Sequence, residues 1–160
     1  MNKKIQNIIN NKNKKKIICL TAYSKNIAEV LDNHVDIILV GDSLGSVLYN
    51  YKTTQKVTLQ MMIEHSKSVK QGVRKSLLVV DMPHNTYKNK RDAYKNAKKI
   101  MVSVKPDAIK LEGGKKVVNI ISYLTLIDIC KNASKRIIEI ASGHERKLLQ
   151  TLICFDIKSH

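Results

Sequence analysis

The chain has 160 residues, with 29 Lys and Arg against 13 Asp and Glu, for a formal charge of +16. That length suits one domain of ~100–200 residues, and an apolar content of 43% excludes disorder throughout. No apolar run approaches the ~20 residues a helix needs to cross a bilayer.

The basic charge divides into +6 over residues 1–16, +6 over 17–114 and +4 over 115–160, so it marks no single nucleic-acid footprint. Lys accounts for 25 of the 29 basic residues, and Arg, the usual base reader, is scarce. With no Trp and one Phe, base-stacking platforms are thin, and no nucleic-acid partner is expected. A basic nucleic-acid module remains the contrasting reading, and it requires steeply salt-dependent duplex binding. The three cysteines, Cys19, Cys130 and Cys154, form no CxxC pair, which argues against a disulfide scaffold or cysteine zinc site. Six Lys precede Cys19 without a long apolar segment or any Arg, so no secretory or mitochondrial leader is read there, no membrane partner is expected, and a cytoplasmic location is expected.

Residues 1–16 read as a basic lead-in holding one frayed helix through Ile5, Ile8 and Ile9. A regular alternation follows. Residues 17–22 read as a buried strand, 26–33 as a helix and 35–40 as a second strand stopped by Gly41-Asp42-Ser43. After a loop, residues 59–73 carry helical spacing with Thr58 at the N-cap. Residues 76–80 form a third strand, 90–104 a third helix and 107–111 a fourth strand, and a fourth helix begins at Lys116. Continuous apolar strands alternating with helices predict an α/β fold with a parallel sheet covered on both faces and right-handed crossovers.

Asp42, Asp81 and Glu112 follow the apolar runs of successive predicted strands, 39 and 31 residues apart. In a parallel sheet, all three emerge at the C-terminal edge, on strands ~4.8 Å apart, where ligand sites of α/β folds lie. A single Asp there is more often a turn former or helix cap; three together point to a site. Carboxylates without nearby Cys select a hard cation such as Mg²⁺. Lys110, two residues before Glu112, falls on the same strand face, where it can hold an anion; its plainer reading is a surface lysine.

The segments around these residues resemble the ketopantoate hydroxymethyltransferase (3-methyl-2-oxobutanoate hydroxymethyltransferase) family. They are Leu20-Thr21-Ala22-Tyr23, Val35 to Gly45, Tyr51, Thr54, Val57-Thr58-Leu59, Met62, His65, Val79-Val80-Asp81-Met82-Pro83, Tyr87 and Lys110 to Gly114. The resemblance implies a (βα)₈ TIM barrel, commonly decameric, that uses Mg²⁺ and 5,10-methylenetetrahydrofolate in pantothenate biosynthesis. It implies Asp42, Asp81 and Glu112 as metal ligands, and Asp42, Ser43, Asp81 and Lys110 as contacts of the keto acid. It also implies chelation of the keto acid's carboxylate and ketone oxygens, with an enolate that attacks the one-carbon unit carried by the folate. An alternative is another Mg²⁺-enolate barrel of the isocitrate lyase and phosphoenolpyruvate mutase type; a third reading is a catalytically dead remnant.

His65 and His84 both read as packed or surface residues rather than bases. His84 stands where the family carries an apolar residue, and Ser24 where an Asp commonly follows the Tyr. Gly113-Gly114 reads as a turn. The resemblance covers roughly residues 16–124, the N-terminal half of a barrel placed at residues 17–124. Residues 125–160 read as a divergent tail, frameshifted or truncated, with helical spacing at Ile137, Ile138, Ala141, Leu148 and Leu149 that suits it to covering a sheet edge. Gly143-His144 echoes only two letters of the family's fifth-strand motif. The family's catalytic Glu has no counterpart, since neither Glu139 nor Glu145 has the right surroundings, so weak or absent turnover is expected of this chain.

Overall fold

The computed structural model describes residues 3–11, 14–126, 136–141 and 149–154. The chain opens with helix α1 (Lys3–Asn11), then strand β1 (Cys19–Thr21), helix α2 (Lys25–Leu31) and strand β2 (Ile37–Val40). A short helix α3 (Leu44–Tyr49) and a 3-10 turn (Thr54–Lys56) lead into α4 (Leu59–Gly72) and β3 (Leu77–Asp81). Then come α5 (Lys90–Val104), β4 (Ala108–Glu112), a 3-10 turn (Gly114–Val117), α6 (Val118–Leu126), β5 (Arg136–Ala141) and β6 (Leu149–Cys154). Among the described residues, no helix is long and apolar enough to cross a membrane.

Strands β1 to β4 are parallel neighbours in chain order, as the alternation of elements predicts. The register pairs Ile37 with Leu77, Val79 with Ala108 and Asp81 with Lys110. Successive side chains alternate across the sheet. One face therefore carries Ile38, Val40, Leu78, Val80, Ile109 and Leu111. These pack with Ala28 of α2, Met62, Ile63 and Val69 of α4, Ala93, Ala97, Ile100 and Met101 of α5, and Ile121 of α6. Gly72 lets α2 lie close to α4: a Cβ there would fall on the Lys25 carbonyl oxygen and 2.8 Å from the Glu29 nitrogen.

The other face carries Ile37, Leu77, Val79 and Ala108 near the N-terminal ends of its strands, and Asp81, Lys110 and Glu112 at the opposite ends. Ile5 and Ile8 of α1 bury against the apolar group. Lys4 donates to the Ser76 carbonyl at 2.8 Å and lies 3.6 Å from the Asp107 carboxylate. The expected frayed helix is thus a docked one, because its isoleucines find an apolar surface that its own sequence does not reveal. The plug closes one end of this face and leaves the polar end open.

Three other expectations change. Strand β1 is exposed along its length rather than buried, since it lies at the edge of the sheet with β2 as its neighbour. Helix α3 occupies part of what read as loop. Ile137, Ile138 and Ala141 lie in strand β5 and Leu149 in β6, not in a helix; Leu148 lies outside the described residues. Strand β6 pairs antiparallel with β4, matching Ile109 with Ile153 and Lys110 with Leu152, and β5 pairs with β6. Without β6, the edge of β4 would leave backbone groups unpaired, and an antiparallel strand can satisfy them where a helix cannot.

Asp32, the C-cap residue of α2, ties this helix to the start of β3. Its carboxylate accepts from the backbone nitrogens of Arg74 (3.0 Å), Lys75 (2.9 Å) and Ser76 (2.9 Å). Burial pushes its pKa up, but the backbone and hydroxyl donors outweigh that and hold it below the usual carboxylate value. A depressed folded-state pKa contributes stability above the unfolded value, which is lost as pH falls through the folded one. Asp32→Ala is therefore expected to lower unfolding free energy by about 1–3 kcal/mol at pH 7, since it strands buried donors. The loss should shrink as pH falls below about 4, where the unfolded chain takes up the proton that folded Asp32 still resists. Urea titrations at pH 7 and pH 3.5 check this; equal losses at both would rule it out.

Candidate functional site

The polar end of the α1-plugged face is set by strand ends. Asp81 and Glu112 are the last residues of β3 and β4, and Asp42 lies in the turn just beyond β2. Lys110 lies two residues before Glu112 on the same face and opposite Asp81 in register. Its Nζ donates to Asp81 Oδ2 at 2.5 Å and also to Glu112 Oε1. Lys110 is therefore not the plain surface lysine of its alternative reading, since its side chain is only 6% exposed. Burial alone would lower its pKa, but the Asp81 and Glu112 carboxylates outweigh that and raise it.

Asp81 is the most deeply buried acid of the group, its side chain 2% exposed. Burial pushes its pKa up to about 7; the Lys110 charge and hydrogen bond oppose this, and the Glu112 and Asp42 charges add to it. Its second oxygen, Oδ1, is buried without a hydrogen-bond partner. A buried acceptor left unmatched is costly and marks a place where a donor or cation is wanted. Carboxylate oxygens are the ligand type a hard divalent cation takes, so the donors suit Mg²⁺. Among the described residues, however, no three His, Cys, Asp or Glu side chains are grouped closely enough to form a metal cage. The positive charge between Asp81 and Glu112 is that of Lys110.

Ser43, the N-cap residue of α3, makes no side-chain cap bond to that helix. Its Oγ instead lies 2.7 Å from the Tyr23 hydroxyl, just past the end of β1. Tyr87 donates to the Glu112 carbonyl at 3.1 Å; burial and the neighbouring acids together raise its pKa. Gly113 and Gly114 form the expected turn, with φ of 136° and 52°. His84, Asn85, Tyr87, Lys88, Glu112 and Lys116 border a cleft of about 320 Å³ beside the strand ends. His65 is packed, as expected, but its two ring nitrogens have specific partners that sequence reasoning missed: the Tyr23 carbonyl and the Tyr49 hydroxyl. Glu139 lies in β5, and Gly143, His144 and Glu145 lie outside the described residues.

A sequence model described as ketopantoate hydroxymethyltransferase matches residues 2–132. The chain belongs to this family. The match includes α1, which precedes the segments that carry the resemblance, and runs past Leu124. A 3-methyl-2-oxobutanoate hydroxymethyltransferase of Pelagibacter ubique is 69% identical over 124 residues, which is 78% of this chain and 48% of the relative. Relatives of the same name from Rhizobium etli and Anaplasma marginale (strain St. Maries) are each 50% identical, over 69% and 68% of this chain and 41% and 39% of their own lengths. The chain thus spans about half the length, or less, of the curated relatives it matches. These matches do not favour the isocitrate lyase and phosphoenolpyruvate mutase reading.

Proposed function

We propose that this chain carries the keto-acid side of the active site of a 3-methyl-2-oxobutanoate hydroxymethyltransferase, at the strand ends of a (βα)₈ barrel. The observation that supports this reading most directly is Lys110, buried and bonded to both Asp81 and Glu112 at the open end of the parallel sheet. On this reading, Asp42, Asp81 and Glu112 hold Mg²⁺, and Asp42, Ser43, Asp81 and Lys110 surround the keto acid. When bound, the cation supplies a fixed positive charge that favours the enolate over the ketone. The chain's own residues supply the rest. Lys110, with two of its three N–H groups on Asp81 and Glu112, offers the third and its positive charge to a substrate oxygen. The Ser43 hydroxyl is a further donor, and α1 keeps the opposite end of the sheet face dry.

The second substrate is 5,10-methylenetetrahydrofolate, and the product is 2-dehydropantoate. A cytoplasmic location, assembly into a homo-oligomer of the family's decameric kind and a place in pantothenate biosynthesis complete the proposal. None of the four keto-acid residues is assigned as the base that takes the C3 proton. General acid–base catalysis contributes about 10²–10⁴-fold, so the 160-residue chain alone is expected to bind the keto acid while turning it over weakly or not at all. Calorimetric titration with 3-methyl-2-oxobutanoate, with and without Mg²⁺, tests the reading. Binding that strengthens with Mg²⁺ is expected; no binding by a folded sample under either condition overturns it.

A further inference from the structure

Ser43 and His65 are joined through Tyr23. The His65 Nδ1 lies 2.8 Å from the Tyr23 carbonyl oxygen, 42 residues away in sequence. A carbonyl only accepts, so Nδ1 carries the proton. In the neutral ring, Nε2 is then an acceptor, and the Tyr49 hydroxyl, 3.0 Å away, donates to it. Tyr49 also packs edge-on against the imidazole, with centroids 5.9 Å apart. The ring on α4 is thus held from α3 on one side and grips the segment between β1 and α2 on the other. At the far end of the Tyr23 side chain, the hydroxyl meets Ser43 Oγ at 2.7 Å.

A serine hydroxyl has one hydrogen. If it is given to Tyr23, none is left for a substrate oxygen; if Tyr23 donates, the serine hydrogen is free and the bond chain strengthens it. We propose that His65 is a positioning residue: by fixing the Tyr23 backbone it holds the Tyr23 hydroxyl within hydrogen-bond reach of Ser43 Oγ, where donation from Tyr23 leaves Ser43 its own hydrogen to present to an anionic substrate. This rests on the keto-acid reading of Ser43 for its last step only.

The test uses the full 160-residue chain. Nitrogen-15 spectra should show His65 protonated on Nδ1; an Nε2-protonated ring overturns the proposal. An Asn amide nitrogen falls near Nδ1, whereas a Gln amide extends toward Nε2. With Mg²⁺ present, His65→Ala is expected to weaken 3-methyl-2-oxobutanoate binding about tenfold, the worth of roughly one hydrogen bond. His65→Asn should recover most of that and His65→Gln little. Should the alanine variant fail to fold, the Asn and Gln variants carry the comparison. Tyr23→Phe should weaken binding comparably, and adding His65→Ala to it should cause no further loss. A merely structural histidine would lower thermal stability without this order of affinities. Equal affinity across the His65 variants, or additive losses with Tyr23→Phe, overturns the proposal. If the wild-type chain binds no keto acid, the functional reading fails separately. The histidine ring state and the Tyr23 ring shifts, altered in His65→Ala and restored in His65→Asn, then decide the positioning role.

Discussion

Lys110→Met is expected to destabilise the fold by an amount that grows with pH, and to weaken keto-acid binding about a hundredfold through loss of a buried, charged hydrogen-bond donor. Methionine fills similar volume, so the cavity cost is small and the electrostatic consequence stands out. Asp81 then loses its countercharge and its hydrogen bond while remaining 2% exposed. Removing one member of a buried ion pair costs about 3–5 kcal/mol where the survivor must stay charged. Asp81 can escape by taking up a proton, because burial already pushes its pKa to about 7 with Lys110 present. Without Lys110, the value moves higher still. The acid binds its proton more tightly folded than unfolded, so its contribution is most favourable at low pH and is lost as pH rises through the folded value. At pH 5.5 the variant should therefore lie close to the wild type, and at pH 8.5 well below it. Urea unfolding at those two values reads the difference directly. A gap that stays constant or narrows with rising pH would show that Asp81 does not depend on Lys110 for its charge.

The alternation of elements was legible because it rests on local pattern. Thr58 is the N-cap of α4, accepting from the Met61 nitrogen at 3.2 Å, and α5 spans Lys90–Val104 with the apolar stripe its spacing predicts. The shared strand face of Lys110 and Glu112 also followed from their two-residue separation. The Lys110 bond to Asp81 did not, because it depends on how β3 and β4 align, and register is a tertiary property. Helix α3 was hidden for a different reason: its six residues include a glycine and a β-branched valine, and its Gly45 is placed by packing, where a Cβ would come 2.6 Å from Val57. Helix α1 read as a charged lead-in because six lysines fall within residues 1–16, four of them after its last residue, and dominate the composition. The histidine between Tyr23 and Tyr49 had no local signal at all, since its partners lie 42 and 16 residues away.

Asp81→Asn is expected to separate the stability of the site from its use. In the wild type, Asp81 holds its proton to higher pH in the folded chain than in the unfolded one, so stability should fall as pH rises from about 4 to about 7. The neutral amide removes that slope. It still accepts from Lys110, whose charge keeps Glu112 as a partner. At pH 8 the variant should therefore match or exceed the wild type in thermal unfolding, whereas below about pH 4, where Asp81 is protonated in the folded and the unfolded chain alike, the two should be close. Binding should move the other way. An amide cannot supply the anionic oxygen that the unpartnered Oδ1 offers to a cation, and Mg²⁺-dependent affinity for the keto acid is expected to fall about a hundredfold. Stability gained where binding is lost is the mark of a charge kept in an unfavourable place for function. An unchanged pH slope in Asp81→Asn would remove Asp81 as its source, and intact Mg²⁺-dependent binding would take Asp81 out of the proposed site.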